Sequence, residues 1–154
     1  MSGLGSGWAK NAPGTWGTLA SLPVFYGIYA ASGENPAIMA VAIVLVTALG
    51  CMLCARILPP LKVQDPGWIV IDEWAGQWLC LTLCLMIYHN IQPAWHEYWV
   101  WLMAFLLFRM FDIFKPYPIN ACEHIGPAWW SIMADDLMAG AMGAGVFFVV
   151  LVVI

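Results

Sequence analysis

Four stretches of the chain hold nearly every residue able to do acid–base, metal or anion chemistry. Asp72 and Glu73 stand side by side ahead of a long apolar run, with Asp65 seven residues before Asp72. Arg109, Asp112 and Lys115 recur every third residue, which puts them on one helix face. Asp135 and Asp136 open the last apolar run with no basic neighbour in sequence. The fourth stretch is glycine-rich, running from Gly3, Gly5 and Gly7 through Lys10 to Pro13-Gly14-Thr15-Trp16-Gly17-Thr18. Adjacent carboxylates repel, and a divalent cation that binds several oxygens relieves the repulsion. A helix starting at Thr15 or Thr18 offers free N–H groups and a positive dipole end to an anion, and lysine and arginine offer it charge. Each stretch also has a plainer reading. Acids suit a helix first turn, threonine is a good cap, and Arg109–Asp112 can be an internal ion pair beside a snorkelling lysine. The convergence decides between them. Carboxylates and cations together, in a chain otherwise short of charge, suit metal-assisted phosphoryl chemistry.

The elements that must position these groups follow from composition. Of 154 residues, 63% are apolar and only 9% charged, against about 25% charged in soluble domains. Too little polar surface remains to keep a fold in water, so the apolar excess faces lipid. Lipid cannot hydrogen-bond a backbone, which predicts an all-α, polytopic membrane bundle in a single domain, residues 1–154. The net charge of −4 argues against a nucleic-acid partner, which draws on a basic patch or stripe. Cys51, Cys54, Cys80 and Cys84 lie in apolar runs at helical spacing and, with Cys122, form no secreted disulfide framework. No basic n-region or cleavage site precedes the first apolar stretch, so no removable signal peptide is expected.

Five hydrophobic helices are predicted: about Trp16 to Ala31, Ala37 to Ile57, Trp74 to Ile91, Trp95 to Phe114 and Ile132 to Ile154. The second and fifth reach the roughly 20 residues a crossing needs. The first is short and fits a tilted or re-entrant segment, and the fourth meets Arg109 after the apolar stretch Tyr98 to Phe108. Five alternating crossings place Lys10, Arg56, Lys62, Arg109 and Lys115, the whole basic complement, on one side. The positive-inside rule makes that side cytoplasmic, with N-terminus in and C-terminus out. Asp65, Asp72, Glu73, Asp112, Glu123, Asp135 and Asp136 fall on the same side; only Glu34 and Glu97 lie opposite. His89 and His96 are on the far side and His124 follows the fourth span, so no Ser–His–Asp or Cys–His arrangement suggests itself.

The four stretches, in order and over almost the whole chain, resemble the bacterial phosphatidylglycerophosphatase A family. The likeness is carried by Pro13-Gly14-Thr15-x-Gly17-Thr18-Leu19, Ile69-Val70-Ile71-Asp72-Glu73-x-x-Gly76, Phe108-Arg109-x-x-Asp112-x-x-Lys115-Pro116-x-Pro118-Ile119 and Asp135-Asp136-x-x-Ala139-Gly140. Departures are small: the family often has Ser where Thr18 stands, many members have a longer N-terminal extension, and Trp129-Trp130 replaces a more glycine-rich approach to the double aspartate. The resemblance implies a Mg²⁺-dependent phosphatase that turns phosphatidylglycerophosphate into phosphatidylglycerol at the bacterial inner membrane. Asp72, Glu73, Asp112 and Asp136 are then expected as the core acidic site, with Asp135 as a further metal ligand or helper and Asp65 in support. Arg109, Lys115, Lys10 and Thr15 are expected to hold the phosphate. Two rival readings stand beside it. A small ion carrier or channel subunit predicts acids at both faces or through the midplane, and a structural scaffold predicts that no carboxylate matters for activity.

Overall fold

A computed structural model describes residues 1–9, 11–61, 66–91, 96–122 and 125–153. Among these residues a 3-10 turn, Ser6–Trp8, precedes six α-helices: α1 Pro13–Ala31, α2 Pro36–Leu61, α3 Ile71–Ile91, α4 Tyr98–Phe114, α5 Ile119–Cys122 and α6 Ala128–Val153. No strand occurs among the described residues.

Local sequence explains where these helices begin and end. Pro13 stands in the first turn of α1, where its fixed φ is already helical and its missing N–H costs nothing. Asn35 caps α2, its Oδ1 accepting from the backbone N–H of Ala37 at 2.9 Å. Lys115 ends α4 in the left-handed region at φ 41°, and Pro116 follows, a residue that cannot continue the helix.

Contacts between the long helices fix their directions. Gly17 of α1 lies against Val70 and Glu73, the indole of Trp78 donates to Ser21 O at 3.2 Å, and Tyr29 meets His89. Both chains advance together, so α1 and α3 are parallel. Gly76 abuts Asp136, while Gly140 abuts Gly76 and Cys80, so α3 and α6 are parallel too. Helix α4 runs the other way: Ala104 O lies against Cys80 Sγ, and Arg109 reaches Glu73. The short loop after α1 turns α2 back, and its Gly50 packs on Ile71 and Met133. One end of the bundle therefore gathers the starts of α1, α3 and α6 with the finish of α2 and α4.

The interior is apolar and aromatic. Phe25, Phe108 and Phe147 are fully buried, among Trp78, Leu81 and Leu85. Outside, Val41, Val44, Leu45, Leu49 and Met52 of α2 are exposed. Two helices are long and apolar enough to cross a membrane, over Pro36–Pro59 and Ala128–Val153, with mean hydropathies of 2.7 and 2.2. Only 22% of the first of those windows is buried, the opposite of a soluble core helix.

Several predicted boundaries shift. Helix α1 starts at Pro13, before Thr15, and α3 starts at Ile71, before Trp74. The last helix begins at Ala128 rather than Ile132, so Asp135 and Asp136 do not open it but lie in its third turn. A dipole or capping role fades within the first turn, so it does not account for them. Apolar runs mark where lipid would be; the backbone stays helical beyond them into the charged turns.

Candidate active site

Three helix ends build one charged cavity. Asp72 and Glu73 lie in the first turn of α3, where the dipole favours them. Asp112 is in the last turn of α4, where the dipole disfavours a carboxylate, and Arg109 one turn earlier compensates. The Arg109 Nη1 donates to Asp112 Oδ2 at 2.5 Å and stands 3.4 Å from Glu73 Oε2. Lys115 Nζ donates to Asp135 Oδ2 at 2.6 Å, and Asp135 Oδ1 accepts from the backbone N–H of Asp136 at 3.0 Å. Asp136 is 4% exposed, and its Oδ2 has no hydrogen-bond partner among the described residues.

The glycines at the crossing of α3 and α6 set this geometry. A methyl group on Gly76 would run into the Asp136 carbonyl and the Phe108 ring, and one on Gly140 into the Gly76 carbonyl. Asp72 and Asp136 each sit one turn before these contacts, four residues ahead of Gly76 and Gly140 respectively. Close backbone approach thus brings two buried acids from different helices to the same depth.

Asp72, Glu73, Arg109, Asp112, Lys115, Asp135 and Asp136 all line a cavity of about 320 Å³, walled by Ala12, Pro13 and Gly14 of the α1 start and by Gly67 and Ile69. Of the residues expected from sequence, seven meet here. Thr15 is not among the described residues lining the cavity, because the first turn of α1 begins two residues earlier than a start at Thr15. Lys10 and Asp65 lie outside the described residues. His89 sits at the other end of the bundle, its Nε2 3.3 Å from the Tyr29 hydroxyl and 3.9 Å from Glu97.

Two residues were not expected in these roles. Thr18 is fully buried; its Oγ1 lies 3.0 Å from both Glu73 Oε2 and Gly14 O, and it accepts from Arg109 Nη1 at 3.4 Å. Its single proton serves one of the two acceptors at a time. Gly14 lets the Glu73 carboxylate and the Arg109 guanidinium pass against α1, since a Cβ there would collide with Glu73 and crowd Arg109. Their spacing held the clue: Gly14 and Thr18 are four apart, hence on one helix face. What that face meets is a tertiary fact.

The donor chemistry of the cavity suits a hard divalent cation. Five carboxylates stand against two cationic side chains, all candidate ligands are oxygens, and a buried carboxylate oxygen without a partner costs several kcal/mol. Glu73, Asp112 and Asp135 are turned toward Arg109 and Lys115. Among the described residues, no three His, Cys, Asp or Glu side chains form a ready-made metal-holding group.

Comparison with known proteins gives the family. The family model described as phosphatidylglycerophosphatase A matches residues 1–151. A phosphatidylglycerophosphatase A from Haemophilus influenzae is 35% identical over 96% of this chain and 84% of its own length. The Escherichia coli protein of the same name is 31% identical over 95% of this chain and 78% of its own length. A Bacteroides thetaiotaomicron protein named as a candidate phosphatidylinositol-3-phosphatase is 33% identical over 90% of this chain and 83% of its own length. No solved structure matches. With the family model matching residues 1–151 and two relatives of that name at 35% and 31% identity over most of their length, the chain belongs to the phosphatidylglycerophosphatase A family and is a phosphatase, a phosphoric monoester hydrolase.

Proposed function

We propose that this protein removes the terminal phosphate of phosphatidylglycerophosphate, giving phosphatidylglycerol and phosphate, in a Mg²⁺-dependent reaction. One observation carries the reading: acids and bases from α3, α4 and α6 line a single cavity, in a chain of this family. The substrate follows from the names of the relatives. The metal follows from the donor set and from the unpartnered Asp136 oxygen.

Arg109 and Lys115 would hold phosphate oxygens, joined by Lys10 and by the backbone N–H groups around Thr15 at the start of α1, where the helix dipole favours an anion. To do so, the two described cations must exchange a carboxylate partner for a phosphate one. Asp72, Glu73, Asp112, Asp135 and Asp136 would hold Mg²⁺, which when bound would polarise the phosphomonoester and acidify a water. Asp136, held at depth by the helix crossing, would take the proton of the attacking water. Asp72, Asp135 and Asp136 are buried in the cavity wall, where a lower local dielectric strengthens their interactions.

The same reading extends to placement. All five long helices would cross the bilayer as one domain of the inner membrane, with the cavity at the cytoplasmic face where the basic residues gather. The lipid would keep its tails in the bilayer and pass only its headgroup to the site.

Purified protein in detergent tests the proposal directly. Phosphate release from phosphatidylglycerophosphate should require Mg²⁺ and stop with a chelator. Phosphatidic acid and phosphatidylinositol 3-phosphate, run beside it, should be poorer substrates. Full activity in the chelator ends the metal reading, and faster turnover of phosphatidylinositol 3-phosphate ends the substrate reading.

A further inference from the structure

An apolar groove of about 550 Å³ lies beside the charged cavity, between the N-terminal 3-10 turn and α1, with Trp8, Trp16, Leu19 and Ala20 in its walls. Its indoles are unusually exposed for their type: Trp8 is 72% exposed and Trp16 56%. No residue lines both the groove and the cavity, but the two are built from neighbouring stretches of chain. The first turn of α1 gives Pro13 and Gly14 to the cavity, while the adjoining face gives Trp16, Leu19 and Ala20 to the groove. Across from it, Trp8 stacks on Trp68 with ring centroids 6.2 Å apart, and Trp68 lies between Gly67 and Ile69, which line the cavity.

The geometry points to this groove as the binding site for the acyl part of the lipid substrate, an assignment that rests on the phosphatase reading above. With a lipid headgroup in the polar cavity, the first carbons of its chains leave close by, and an apolar surface there would receive them before they enter the bilayer. The cavity that gathers the carboxylates, Arg109 and Lys115 has an apolar concavity close to it. The volume falls within the roughly 300–1,000 Å³ of small-molecule sites, enough for the upper stretch of a chain and not for a whole diacyl tail. The rest would remain in the bilayer. This surface differs from the exposed face of α2, where Val41, Val44 and Leu45 are exposed and no cavity adjoins the charges. Two indoles suit the position, since their rings are at home at the boundary between headgroups and chains.

The experiment compares two substrates on one pair of variants, Trp16→Ala and Leu19→Ala, with full-length protein in detergent micelles. One substrate is diacyl phosphatidylglycerophosphate; the other is its deacylated, water-soluble headgroup. Loss of apolar contact to the substrate is worth about tenfold or more in kcat/KM. The diacyl substrate should lose that much through a raised KM, while the deacylated one is turned over as by the unmodified protein. An equal fall for both substrates, or no fall for either, overturns the assignment. If the unmodified protein releases no phosphate from either, the phosphatase reading fails instead, and a binding measurement then decides the groove. Phosphatidylglycerophosphate carrying a photoreactive acyl chain should label the segment from Trp8 to Ala20. Excess phosphatidylglycerophosphate should displace that label and phosphatidylcholine should not; equal displacement by both makes the groove an ordinary lipid contact and overturns the proposal.

Discussion

Thr18 joins the two signs of charge at the centre of the site. Its hydroxyl touches both Glu73 and Arg109 from a fully buried position, so removing it leaves buried polar groups short of a partner at about 1–3 kcal/mol. Thr18→Val keeps the shape and deletes that contact. It should lower kcat/KM about tenfold or more, while Thr18→Ser restores most of the loss because the hydroxyl survives. Equal activity in the valine and serine variants would show that the hydroxyl does nothing. Asp136→Asn tests the deepest acid. Neutralising it relieves an unpartnered buried charge, so the thermal midpoint should hold or rise while phosphate release falls at least about a hundredfold. A variant that loses stability and keeps turnover reverses the assignment. The charged residues of the site were legible in sequence because a charge in so apolar a chain is costly and must have a reason. Thr18 was not, since a threonine in a helix is ordinary until its neighbours are known.

At the scale of elements, glycine decides how closely the helices meet. In an exposed helix, Gly→Ala stabilises by about 1 kcal/mol. Gly76 and Gly140 should do the reverse, because a methyl group on either strikes the backbone of the facing helix, and overpacking costs about 1–3 kcal/mol. Gly27 and Gly145 have open space around them and should follow the ordinary rule. Thermal unfolding in detergent separates the pairs: Gly76→Ala and Gly140→Ala fall, Gly27→Ala and Gly145→Ala hold or rise. Phosphate release should fall with the first pair, as Asp72 and Asp136 are pushed apart. Uniform behaviour of all four would remove close packing as the positioning device. The small residues after Asp136 make a smooth packing face, but their sequence does not say which helix occupies it. Helix starts were misplaced for a related reason. The first turns of α1, α3 and α6 carry polar and aromatic residues that hydropathy does not count as span, and those of α1 and α3 line the site.

Seen as a whole, the molecule separates an acidic and basic end from an apolar body, and that separation has a consequence for topology. Helices α2 and α6, 26 residues each, are long enough for a bilayer core of about 30 Å. Helices α1 and α4 have 19 and 17 residues, about 28 and 26 Å at the helical rise, so they cross only if the bilayer thins or flanking residues snorkel. The proposed five-crossing topology has both of them cross. α1 runs parallel to α3, and α4 returns antiparallel, its charged end beside Glu73. A hairpin re-entrant α1 would leave both of its ends on the side of the charged cavity. Exposed positions at the two ends of α1 discriminate the cases: Asn11 precedes it and Ala31 is its last residue. The native cysteines are a weak background, four of them being buried. In intact cells, a membrane-impermeant maleimide should label Ala31→Cys and spare Asn11→Cys, with the latter reacting only after the membrane is opened. Asn120→Cys, exposed on α5, should behave like Asn11→Cys because it lies beyond the charged end of α4. If Ala31→Cys is protected together with the other two, α1 turns back within the bilayer, and the parallel packing of α1 on α3 must be a feature of one leaflet alone.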